Sequence, residues 1–192
     1  ALLPLDTPGV EVRPLRQING RTEFSEVFFD GARAARDNIV GPVGDGWQIA
    51  KSLLDFERGA ERTMARSATI RAATRIMIGA LPETRKGDTG IVRQLGRSAA
   101  ECLGAEINTL RLLGTQMAGG EPGALSALVK LHQSEFWRSA SAENVRSLGP
   151  SAFLADQDHF EKYLDARYGT IASGTSEIQR DIVARRVLNL PM

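Results

Sequence analysis

Three long stretches of this 192-residue chain, 47–78, 91–117 and 124–148, contain no proline, and each is followed by a short cluster holding both proline and glycine. The clusters are "LPETRKGDTG" (81–90), "AGGEPG" (118–123) and "GPS" (149–151). Proline and glycine end helices and supply turn backbone, so this punctuation predicts three long helices with short links. Shorter helical pieces are expected over about 158–172 and 176–187. Long helices joined directly, without intervening strands, predict a mainly α chain built on an up-down, antiparallel four-helix bundle.

The first forty residues have another texture. "GVEVRPLRQI" and "RTEFSEVFF" are rich in β-branched and aromatic residues, and Asn19-Gly20 between them is the preferred pair for a tight hairpin turn. "DTPG" at 6–9 is a second turn signal, and Pro14 confines its strand to an edge. Two strands alone are marginally stable, so this hairpin needs something to lean on. The expected division is a short β segment over 1–42 and a helical domain over 43–192.

The rest of the composition serves mainly to exclude. Apolar residues make up 42% and charged residues 24%, ordinary for a soluble globular protein, and the formal charge of +1 gives no reason to expect nucleic acid or a membrane surface as partner. No apolar run is long enough to span a bilayer. A single cysteine, Cys102, excludes an internal disulfide and fits a reducing cytoplasm. It is expected to be a small core side chain. His132 and His159 are isolated, so no metal-ligating cluster is expected. Trp47 is expected to pack the first helix against the β region, and Trp137 to lie in the core or at an interface. The chain opens on Ala, which reads as the start of a processed or excised piece.

One carboxylate falls where it is costly. On a wheel of about 100° per residue, Ile49, Leu53, Phe56, Ala60 and Met64 share one arc, and Lys51, Asp55, Arg58 and Arg62 lie opposite. Glu57 falls inside the apolar arc. Burial disfavours an ionised carboxylate and raises its pKa. Either a small rotation of the helix brings Glu57 to the rim beside an arginine, or Glu57 is a general base in an apolar pocket. The wheel leaves both open.

"VFFDGARAARDNIVGPVGDGWQIAKSLLDFERG", followed far downstream by "IASGTSEIQRDIVARRVL", resembles the acyl-CoA dehydrogenase family over nearly the whole chain. The part resembled runs from the end of the family's middle β domain through its C-terminal helical domain. The resemblance implies FAD-dependent oxidation of an acyl-CoA thioester to the trans-2-enoyl-CoA. It also implies an oligomer, a dimer of dimers of like or unlike chains, and an electron-transferring flavoprotein as acceptor. Many members carry the base just before the "GT" of the last motif, where this chain has Ser173. A minority branch supplies it from the first long helix in an "LDLER"-like segment, which matches "LLDFER" and Glu57. The resemblance thus implies Glu57 as the catalytic base, with Ser173 left as a substrate contact.

Thr175, Glu177 and Gln179 stand where the family contacts FAD. Ser176 and Gln179 also fit a capping box, and a helix N-terminus offers N–H groups to an anion. Arg58 is either a surface residue or a substrate contact at the mouth of the acyl-CoA site. The family's "R…FG" motif lacks its phenylalanine here, leaving Arg85, Arg93 or Gln94 as substitutes. Its glycine-rich loop has become "LGPSAF" around Gly149 and Pro150. Some bacterial members divide base and flavin contacts between unlike subunits, and this pattern suits one such subunit. The competing expectation is a non-catalytic helical module that assembles with an active partner.

Overall fold

The computed structural model describes residues 1–57, 60–154 and 158–191, with the side chains of 55–64 and 77 outside that description. The chain forms two compact units, Ala1–Phe56 and Glu57–Met192.

The first unit holds an antiparallel pair, β1 (Val10–Leu15) and β2 (Phe24–Phe29), in register from Val10 opposite Phe29 to Leu15 opposite Phe24. Pro14 lies in one of two edge strands, where its missing N–H is tolerated. The "DTPG" signal forms a turn closed by Val10 N–H donating to Thr7 O at 2.9 Å. Gly9 sits there at φ +87°, and a Cβ would stand 2.2 Å from the carbonyl oxygen of Asp30, so both backbone and space require glycine.

The hairpin turn differs from the expected two-residue Asn-Gly form. Gln17 N–H donates to Arg21 O at 2.8 Å and Gly20 N–H to Gln17 O at 2.9 Å, enclosing Ile18, Asn19 and Gly20. Glycine is still what the turn needs, at φ +83°, but as the last residue of a three-residue loop. The Asn19 side chain accepts from Arg21 N–H at 3.0 Å.

Helix α1 (Gly46–Glu57) completes this part of the chain. Trp47 does not pack as expected: it is 72% exposed. Ile49 makes the close approach instead, with its Cδ1 2.9 Å from where a Cβ on Gly41 would stand. Leu53, on the arc read as apolar, is also exposed.

The second unit contains α2 (Ala60–Gly79), α3 (Thr89–Met117), α4 (Gly123–Leu148), α5 (His159–Tyr168) and α6 (Ser176–Arg186). Helix α3 starts two residues earlier than the apolar pattern implied, because the Asp88 carboxylate caps it, accepting from Gly90 and Ile91 N–H at 2.8 and 3.2 Å. Helix α4 touches α2, α3, α5 and α6 and is the centre of the unit. Ile70, Cys102, Phe136 and Ala140 form a core cluster from α2, α3 and α4, with Trp137 packed against it. Cys102 and Trp137 are thus where the sequence put them. Two deep polar side chains are paired: Gln133 Nε2 donates to the Thr109 hydroxyl at 3.0 Å, which in turn donates to Ala105 O.

His159 is buried, and its Nδ1 lies 3.0 Å from the Asn144 side-chain amide. Burial, reinforced by Lys162 and partly offset by Asp158, holds this imidazole below the ordinary histidine range. The unfolded chain therefore takes up a proton more readily than the folded one as pH falls below about 6.5. Thermal unfolding followed across that range is expected to show stability present at neutral pH and lost on acidification. His159→Gln should flatten that part of the profile and leave losses at lower pH in place.

Candidate functional site at the start of the last helix

The turn between α5 and α6, residues 169–175, has a backbone that is unusual in two successive positions. Ser173 has φ +56° and Gly174 φ +91°. Left-handed backbone is disfavoured for serine, so the surroundings must impose it. Both carbonyls point at donors. Gln179 Nε2 reaches Ser173 O at 3.2 Å and Gly174 O at 3.4 Å, and Lys130 Nζ from α4 reaches Gly174 O at 2.7 Å. Ser176 N–H donates to Thr170 O at 2.9 Å, closing the turn.

The cap is Thr175, one residue before the expected Ser176. The Thr175 hydroxyl accepts from Ile178 N–H at 3.4 Å, and Thr175 has the extended backbone of an N-cap. Ser176 is already helical and buried, and its N–H is committed to Thr170. Gln179 does not reach back to the cap as in a capping box. Its amide turns under the preceding loop.

Nor are all the N–H groups of this helix end open to an anion. Those of Ser176 and Ile178 have acceptors. The Glu177 carboxylate is held below its usual range by its own backbone N–H first and by the Thr175 hydroxyl second. Glu177 is open to solvent, Thr175 is half-buried, and Gln179 is fully buried beneath them.

A second link from α4 steadies the helix. The Glu135 carboxylate lies 2.9 Å from Arg180 Nη2 and 2.6 Å from Arg138 Nη2. Burial pushes this carboxyl up, but the Ser176 hydroxyl and the two guanidiniums outweigh it and hold it below the usual range.

Ser173, Thr175, Glu177 and Gln179 are thus brought together on one turn. Glu57 is the last residue of α1, and its side chain lies outside the described residues, as does Arg58 altogether. Of the three candidates for the missing "R…FG" contact, Arg85 and Gln94 line one open pocket of about 280 Å³ with Gly90, Ile91, Glu143, Arg146 and Ser147. Arg93 is not among its lining residues. Sequence reading missed Lys130 and Glu135. The signal for Lys130 was a single lysine inside the apolar run "ALVKL", the same kind of misplaced charge that drew attention to Glu57.

Residues 44–188 match the family model described as the C-terminal domain of acyl-CoA dehydrogenase. The chain belongs to the acyl-CoA dehydrogenase family. Acyl-CoA dehydrogenase IpdE1 of Mycobacterium tuberculosis is 34% identical over 99% of this chain and 50% of its own length. The chain spans about half the length of such curated relatives. The crystal structure of an acyl-CoA dehydrogenase from Geobacillus kaustophilus superposes with a TM-score of 0.86 at 21% identity, covering 96% of this chain and 50% of that one. The Tcur3481–Tcur3483 steroid ACAD G363A variant superposes at 0.78 with 18% identity, over 99% of this chain and 52% of that one. The fold is the mainly α, C-terminal bundle of an acyl-CoA dehydrogenase preceded by a short β segment.

The cofactor of the family is FAD. The turn fits such a group: a hydroxyl and a carboxylate stand side by side at an open helix end. Below them, Gln179 Oε1 is buried without a hydrogen-bond donor among the described residues. Thr175→Ala removes the cap acceptor and is expected to lower stability by about 1 kcal/mol in denaturant unfolding, with the loss confined to α6 in amide exchange.

Proposed function

We propose that this chain is the C-terminal part of an FAD-dependent acyl-CoA dehydrogenase in which Glu57 removes the α-proton of an acyl-CoA thioester. The observation that carries this reading is a substitution with its counterpart. Ser173 occupies the position where many family members hold the base, and a serine hydroxyl cannot take a carbon-bound proton at neutral pH. The match of "LLDFER" to the minority pattern supports Glu57 as the carboxylate that acts in its stead.

In this reading the Glu57 carboxylate receives the α-proton, and the electron pair left behind forms the new α,β double bond. FAD, when bound, supplies the acceptor for the β-hydrogen with its two electrons. Thr175 and Glu177 hold the cofactor by hydrogen bonds at the open end of α6, with Gln179 bracing and accepting from beneath. Ser173 lines the substrate side of the turn, and Arg58, next to the base, meets the acyl-CoA at the mouth of the site. Reoxidation falls to an electron-transferring flavoprotein. The expected location is the cytoplasm.

The proposed assembly is a dimer of dimers in which a neighbouring chain completes the flavin site, with like or unlike subunits. The resemblance to bacterial members that divide base and flavin contacts between unlike subunits supports including them. The altered "LGPSAF" loop supports it as well.

A second reading, a non-catalytic helical module, draws on the exposed apolar residues Leu103, Ile107, Leu110 and Met117 along α3. Colour separates the two. A flavin absorbance band bleached by an acyl-CoA supports the enzyme, and a colourless stable oligomer supports the module. In the complete flavin-loaded protein, Glu57→Gln is expected to slow flavin reduction on the order of 10²-fold or more with unfolding unchanged. Reduction at the parent rate would remove Glu57 from the mechanism.

A further inference from the structure

We infer that Lys130 is a positioning residue: its ammonium, inserted from α4, fixes the Gly174 carbonyl and so sets the left-handed Ser173–Gly174 pair that presents Thr175 and Glu177. The geometry stands by itself, while the consequence for the cofactor rests on the flavin reading above.

Lysine is rarely buried, because its strongly hydrated ammonium loses water there. Lys130 is nevertheless only 8% exposed, and its Nζ lies 2.7 Å from Gly174 O. A charged donor on a neutral carbonyl makes a shorter and stronger bond than an amide does. Among the described residues the second donor to that oxygen, Gln179 Nε2, is at 3.4 Å and is shared with Ser173 O. Lysine is therefore the principal restraint on the carbonyl, and the amide the lesser one. That carbonyl is the last backbone group before the Thr175 cap, so its direction decides where the Thr175 hydroxyl and Glu177 carboxylate point.

Five residues along the same helix, about 7.5 Å, Glu135 takes Arg180 beyond the cap. Helix α4 thus grips the segment on both sides of the cap. The first grip acts on the turn, the second on the helix.

The test compares Lys130→Met, which keeps an unbranched apolar stem and removes the charge, with Lys86→Met, at a lysine in the α2–α3 connection. Two quantities are read in the protein as isolated with whatever chain completes it. One is amide exchange over 173–178 after flavin removal, and the other is the FAD dissociation constant. Expected for Lys130→Met are exchange accelerated about tenfold or more in that segment alone and FAD bound about tenfold more weakly. Lys86→Met should change neither. If Lys130→Met does not fold, Lys130→Gln, which keeps a neutral donor, is read in the same way.

Exchange and FAD affinity both within twofold of the parent would overturn the inference, even with a lower melting temperature. Faster exchange with unchanged affinity would overturn it too, since the lysine would then serve the fold alone. If the parent itself holds no flavin, the flavin reading fails, and exchange alone decides whether Lys130 sets the turn.

Discussion

Helix α4 must satisfy polar groups inside the bundle that water cannot reach, and the rest of the helical unit is arranged around how it does so. It is the element that meets every other helix of that unit. Its buried Gln133 ties it to Thr109 of α3, its Asn144 to His159 of α5, and its Lys130 to the turn before α6. An apolar helix in this place would pack, but could slide or rotate with little penalty. Hydrogen bonds to single atoms on three neighbours fix both its register and its rotation, because a buried donor or acceptor left unpaired costs about 1–3 kcal/mol.

The same logic explains what could be read from the chain in advance and what could not. The extents of α3 and α4 followed closely from proline and glycine punctuation, and the residues that set their ends, such as Asp88 and Gly149, act within a few positions of themselves; the middle of the helix expected over 47–78, at 58–59, lies outside the described residues. The core identity of Cys102 followed from its apolar neighbours. The hairpin was legible as a hairpin, but not its loop length, because one glycine at positive φ serves a two-residue and a three-residue turn equally well. Trp47 was misjudged: it is exposed, and Ile49 makes the close approach to Gly41.

The site was half legible. Ser173, Thr175, Glu177 and Gln179 are neighbours in sequence, so their meeting needed no knowledge of packing. The groups on α4 that hold this segment, Lys130 and Glu135, sit some forty residues earlier on another helix, and only Lys130 was marked, by its place among apolar neighbours. The capping signal was off by one position for a related reason: Ser176 and Thr175 are both competent caps. The backbone of Ser173 and Gly174, set by distant donors, chose between them.

The arrangement at the start of α6 carries a rule about what can settle there. Because Glu177 already lies against its own N–H and the Thr175 hydroxyl, the dipole of that helix is countered from within. A phosphate or carboxylate arriving on charge alone finds no attraction. Under the flavin reading proposed above, a visitor bearing hydroxyl or amino hydrogens is the one this carboxylate suits, and raising the salt concentration should alter that preference very little.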